Sequence, residues 1–214
     1  MNSIERTRPE VVTEVATHAH TDAVGARVGM WLFLLTEILL FGALFLLYSV
    51  YRSEHMASFH EAAAELNVTT GAVNTIVLLS SSLSMALSIA AMRMGKSRRA
   101  SLFLVLTILL AVVFLVNKYF EWGAKIAHGI YPGSPELAAG DKGRILFYGL
   151  YYVMTGLHGL HVVIGIILLS VMLVLVHRGN ITRADYAKLE NSGLYWHLVD
   201  IIWIYLFPLY YLIT

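Results

Sequence analysis

The chain has 214 residues, of which 58% are hydrophobic and only 14% charged, with a formal net charge of +1. Soluble globular chains carry about 25% charged residues, so this one lacks the polar surface to cover its apolar side chains in water, and lipid must be its solvent. The near-neutral balance offers no general case for binding nucleic acid, and the absence of cysteine excludes a disulfide framework, a thiolate metal site and a catalytic thiol.

Residues 1–27 form a polar tail, of which residues 1–22 read as loosely ordered, and its His18 and His20 make too short a tract to argue for a metal. Five long apolar stretches follow, approximately Val28–Tyr51, Gly71–Met92, Ser101–Lys125, Tyr148–Val176 and Gly193–Ile213. Each reaches the roughly 20 residues needed to cross about 30 Å of hydrocarbon as a helix. Helices are expected because open strands would leave backbone groups unpaired in lipid. The predicted architecture is an all-α integral membrane protein, a bundle of five transmembrane helices over residues 28–214. Ser58–Leu66 reads as a short surface helix between the first two spans, and Tyr131-Pro-Gly-Ser-Pro135 as a turn between the third and fourth.

Basic residues set the expected orientation. Ten of them (Arg6, Arg8, Arg27, Arg93, Lys96, Arg98, Arg99, Arg178, Arg183, Lys188) fall on one side and four (Arg52, Lys125, Lys142, Arg144) on the other. The positive-inside rule then places the N-terminus in the cytoplasm and the C-terminus in the periplasm. Tyr48, Tyr51, Trp122, Tyr148, Tyr151, Tyr152, Tyr210 and Tyr211 cluster at the expected outer ends, where an aromatic belt would sit.

Ionisable side chains at membrane depth are expensive, and each is a functional candidate. Glu37 stands about nine residues into the first span, roughly 14 Å deep at 1.5 Å per residue. Two readings are open: a carboxyl that handles protons or faces a lipid headgroup, and a neutral acid hydrogen-bonded between helices. Lys118, Glu121 and Lys125 share one face of the third span, with Glu121 and Lys125 at the favoured i,i+4 spacing. His158 and His161 share a face of the fourth span, where interhelical hydrogen bonding competes with haem or metal ligation. Matched histidines at equal depth on facing helices are missing, as are the repeated carboxylate–histidine pairs of a di-metal bundle. His197 and Asp200, flanked by Trp196 and Trp203, are spaced for direct pairing or for anchoring a partner subunit or phospholipid. Ser81, Ser84 and Ser88 repeat as a small-residue packing stripe, and Gly25 with Gly29 forms a small-xxx-small pair.

Several of these residues lie in recognisable runs. Tyr195-Trp-His-Leu-Val-Asp-Ile-Ile-Trp-Ile-Tyr-Leu-Phe-Pro208 resembles the C-terminal signature of subunit III of haem–copper oxidases. Thr155-Gly-Leu-His-Gly-Leu-His-Val162 is similar to that family's Thr-Gly-x-His-Gly-x-His-Val motif, and Gly29-Met-Trp-Leu-Phe-Leu-Leu-Thr-Glu37 to its Gly-Met-x-Leu-Phe-x-x-Ser-Glu helix. Asn74-Thr75 and Glu121-Trp122 fit the remaining two spans. The motifs run in order from about residue 25 to the end of the chain.

The resemblance implies a subunit of a proton-pumping terminal oxidase of aerobic respiration in the bacterial inner membrane, with no redox centre and no metal of its own. Haem and copper would reside in the partner catalytic subunit I, accompanied by subunit II, phospholipid and a possible larger respiratory supercomplex. Glu37 would support proton uptake, and Asn74, Glu121, His158, His161, His197 and Asp200 would serve packing, lipid or subunit contacts. Five spans match the shorter members, which lack two N-terminal helices and with them part of a lipid cleft. A quinol oxidase and a nitric oxide reductase-associated protein are the alternatives within the resemblance. An independent transporter or a b-type cytochrome would lie outside it.

Overall fold

The computed structural model describes residues 8–212; Arg6 and Ile213, used above for orientation and for the end of the last span, lie outside the described residues. All regular structure among the described residues is helical: α1 Arg8–Glu54, α2 Met56–Ala64, α3 Val68–Arg93, α4 Ser97–Ala127, α5 Pro135–Ala138, α6 Lys142–His177 and α7 Ala187–Phe207. A π-turn over Pro208–Leu212 follows α7, where the missing N–H of Pro208 interrupts the i→i−4 ladder. Five helices (α1, α3, α4, α6, α7) carry stretches long and apolar enough to cross a membrane, and the protein is a multi-pass, five-span chain. The expected surface helix at Ser58–Leu66 is α2. α1 begins at Arg8, well ahead of the apolar stretch.

The chain divides into two compact units, Met1–Leu39 and Leu40–Thr214. The described part of the first unit, residues 8–39, is a single helical stretch. The second is organised around the α3–α4 hairpin, which turns through Gly95 at φ 73°. Serines join its two helices. Ser81, Ser84 and Ser88 donate to the carbonyls of Thr107, Phe103 and Ala100 at 3.2, 2.9 and 2.9 Å. Small side chains at one face let the backbones approach, and each interhelical bond in lipid contributes about 0.6 kcal/mol. The stripe therefore works as structure.

Glycines set the other close approaches. A Cβ at Gly165 would stand 2.6 Å from the Trp196 ring, so α7 meets α6 only because that side chain is absent. Gly193 admits Ile89 of α3 in the same way, and Gly71 admits Phe207. Gly159, in contrast, faces open space.

Tyr48, Tyr148, Tyr151, Tyr210 and Tyr211 are all at most 1% exposed. The expected aromatic belt is, for these five, an interior cluster. Tyr48 stacks edge-on to Tyr210 at 5.1 Å and to Phe59 at 5.4 Å, and Phe147 closes the group on Tyr210 at 5.5 Å. Their hydroxyls find partners inside: Tyr48 donates to the Leu209 carbonyl at 2.7 Å and Tyr210 meets Met154 Sδ at 3.0 Å. Edge-to-face rings satisfied at their polar tips pack as well as aliphatic side chains.

Outside the spans, Asp141 caps α6. Its carboxylate accepts from the Gly143 amide at 3.0 Å and from the Ser58 hydroxyl of α2 at 2.5 Å. The Ser58 hydroxyl, followed by the amide, holds the Asp141 carboxyl below its ordinary value. A depressed folded-state value stabilises the fold above the unfolded value of about 3.9, and that stabilisation is lost as pH falls through the folded value. Asp141→Ala is expected to cost about 1 kcal/mol at neutral pH. The difference between mutant and wild-type melting temperatures in detergent should narrow as pH is lowered from 6 to 3.

Candidate functional site

The most concentrated polar chemistry lies where α4, α6 and the π-turn meet. Lys118 is 7% exposed and uses all three of its ammonium donors there. It reaches Glu121 Oε2 at 3.1 Å, the Tyr151 hydroxyl at 3.0 Å and the Tyr211 hydroxyl at 3.1 Å. Both hydroxyls then donate to Glu121 Oε1, at 2.6 Å from Tyr151 and 2.5 Å from Tyr211. Lys118 only donates, Glu121 only accepts, and the two tyrosine hydroxyls do both, which closes the ring. The ammonium also lies over the Tyr151 and Trp203 rings at 5.0 and 5.4 Å, which adds cation–π attraction where water is scarce.

The i,i+4 expectation for Glu121 and Lys125 is corrected here. Glu121 pairs with Lys118, because the fold brings the two tyrosines over that side of α4. Lys125 instead lies over the Tyr148 ring at 5.5 Å. Sequence spacing alone could not identify Tyr151 and Tyr211 as ring members, since they come from other elements.

His158 adjoins this ring and is fully buried. Phe114 meets it edge-on at 5.4 Å and Trp203 lies tilted over it at 5.2 Å. Both ring nitrogens are buried without a hydrogen-bond partner, so the expected interhelical bond is replaced by ring packing. His161 Nδ1 approaches its own helix at the Leu157 carbonyl, 2.8 Å away, and its ring meets Phe41 edge-on at 5.5 Å. Among the described residues no group of three or more His, Cys, Asp or Glu side chains converges as a metal site would require.

The α7 signature is read out by α3. Trp196 Nε1 donates to Ser81 Oγ at 3.1 Å and Trp203 Nε1 to Thr75 Oγ1 at 3.1 Å. His197 Nδ1 lies 2.6 Å from Ser82 Oγ. His197 therefore engages Ser82 across the helix interface, and the expected direct His197–Asp200 pair does not form. Asp200 is 4% exposed, and its Oδ1 has no hydrogen-bond partner. Asn74 Oδ1 accepts from Asn117 Nδ2 at 2.9 Å, joining α3 to α4.

A cleft of about 580 Å³ opens beside the ring, lined by Glu65, Asn67, Thr70, Asn117, Glu121, Lys125 and His128 among others. Glu37 belongs to the first unit and occupies the middle of the α1 apolar stretch, next to Thr36, whose hydroxyl donates to the Phe33 carbonyl at 2.7 Å.

Comparison with known proteins places this arrangement among relatives. The pattern of the family described as cytochrome c oxidase subunit III matches residues 6–214. A cytochrome c oxidase subunit 3 from Synechocystis sp. is 34% identical over 197 residues, covering 92% of this chain and 78% of that protein. A probable quinol oxidase subunit 3 from Staphylococcus haemolyticus is 29% identical over 189 residues, covering 87% and 88%. A haem–copper oxidase subunit I+III from Aeropyrum pernix is 31% identical over 193 residues, which cover 87% of this chain but only 22% of that longer protein.

Proposed function

The chain belongs to the cytochrome c oxidase subunit III family and serves as a subunit III within a terminal oxidase complex, and we propose that its contribution there is to stabilise the catalytic subunit and sustain proton uptake. The observation that carries this reading is the match across residues 6–214, which includes all five spans and Glu37. Haem and copper belong to subunit I in this proposal, with subunit II alongside, and this chain supplies packing surfaces rather than ligands. The charge distribution favours an N-terminus in the cytoplasm and a C-terminus in the periplasm of a bacterial inner membrane. Relatives bearing both cytochrome c and quinol oxidase names leave the electron donor to experiment.

Glu37 is the residue proposed to support proton uptake. A carboxyl in the middle of an apolar span has to do more than fill space, given the cost of placing it there. Affinity purification through this chain is expected to bring a haem- and copper-containing partner, identified by its optical spectrum and metal content. In that assembled enzyme, Glu37→Gln should leave assembly intact while slowing proton uptake severalfold and shortening the active lifetime during turnover. Unchanged turnover, pumping and lifetime would reduce Glu37 to a contact between helices. Purification of the chain without a haem protein would overturn the subunit assignment itself.

A further inference from the structure

The cleft beside the ring carries a line of polar and charged side chains among apolar ones such as Phe120 and Ile130. Asn117, Glu121, Ala124, Lys125 and His128 all line it, and they fall along one face of the last three turns of α4. From the helix end at Ala127 to Asn117 is ten residues, about 15 Å of rise, and from the start of α3 at Val68 to Asn74 is six residues, about 9 Å. Glu65, Asn67 and Thr70 form the opposite wall, where α3 begins. Glu65 is itself held by Arg144 at 3.0 Å and by the Tyr148 hydroxyl at 2.5 Å, so that wall is fixed in place. At the deep end, Asn117 bonds to Asn74, which is fully buried and keeps an amide nitrogen with no hydrogen-bond partner.

A polar face that runs into the membrane is tolerated only against protein or against water. Here the space against it is a cavity of about 580 Å³, ample for several waters at about 30 Å³ each. We propose that this cleft is an aqueous vestibule, which carries water from the membrane surface past the Glu121 carboxylate to the Asn74–Asn117 pair. Glu121 faces the vestibule on one side and the ring on the other. The charged and titratable groups around it are Lys118 and Lys125 on α4, Tyr151 and Tyr152 on α6, Tyr211 on the π-turn, and Glu65 across the cleft. The vestibule thus supplies a solvent contact for a carboxyl whose remaining neighbours are protein. This inference rests on the membrane-spanning fold and holds whether or not Glu37 supports proton uptake.

The absence of cysteine makes the test direct. Thiols react as thiolates, which form readily in water and poorly in hydrocarbon. Single substitutions Ala124→Cys and Asn117→Cys would be made in the assembled oxidase, with Val116→Cys as the control at the depth of Asn117 on the exposed face of α4. A charged, membrane-impermeant methanethiosulfonate is expected to label Ala124→Cys and Asn117→Cys at least tenfold faster than Val116→Cys, as read by mass spectrometry of this chain. Labelling of Ala124→Cys no faster than the control would overturn the proposal, whether lipid or a partner fills the cleft. Ala124 has only a methyl side chain to replace, so its variant keeps the test valid if Asn117→Cys misfolds.

Discussion

Replacing Lys118 by methionine should destabilise the chain by about 3–5 kcal/mol, the range for removing one member of a buried ion pair. The substitution keeps most of the side-chain volume, so the loss comes from charge rather than from a cavity. Glu121 would retain two tyrosine hydroxyls but lose the ammonium that offsets its charge, and Tyr151 and Tyr211 would each lose the donor they accept from. A second variant separates this from simple packing damage. Lys118→Met combined with Glu121→Leu removes both charges and should recover much of the loss, because an apolar replacement of a whole buried pair is often near neutral. Thermal unfolding of the purified complex in detergent, followed through this subunit, measures both. A cost below about 1 kcal/mol for the single variant would show that the ring is solvated well enough to behave as a surface pair.

Trp203→Ala is the other large expected loss, again about 3–5 kcal/mol. Trp203 is fully buried. Its ring meets Phe114 at 4.7 Å and His158 at 5.2 Å, and Lys118 Nζ lies 5.4 Å from its centre. Truncation would open a cavity among the His158, Phe114 and Lys118 side chains at once, so its effect should not add independently to that of Lys118→Met. Trp203→Phe is expected to cost less. It keeps a ring in the cavity and forfeits the indole bond to Thr75, whose own hydroxyl still donates to the Gly71 carbonyl. If the double variant Trp203→Ala/Lys118→Met loses the full sum of the two single effects, the two sites are energetically separate.

The architecture was largely legible in the residues because lipid imposes a strong constraint. Twenty apolar residues in a row leave few alternatives to a spanning helix, and all five such stretches became helices. The serine stripe was legible for a similar reason, since small side chains at i, i+3 and i+7 leave a face that another helix can approach. Pairings between helices were not. Glu121 has a lysine three residues before it and another four residues after it, and spacing favours the second. What decides is that Tyr151 and Tyr211 come to lie beside the first, which depends on packing among elements far apart in the chain. His197 met Ser82 rather than Asp200 for the same reason. The tyrosines misled most clearly. Their position near span ends signals an interfacial belt, yet five of them supply the core of the bundle at that depth, a choice that depends on which way each helix is rotated.

The closed ring also orders events during biosynthesis. Lys118 and Glu121 lie three residues apart, so they can enter the bilayer as a preformed pair as soon as α4 leaves the insertion machinery. Tyr151 reaches them with the next span. Tyr211 is translated 93 residues after Lys118 and follows the whole of α7. Until it arrives, the carboxylate lacks one of its donors, and the third span has a polar flank that is only partly neutralised. The late tyrosine makes the π-turn after α7 a clasp on a helix laid down much earlier, and gives the fifth span a reason to stay docked once inserted.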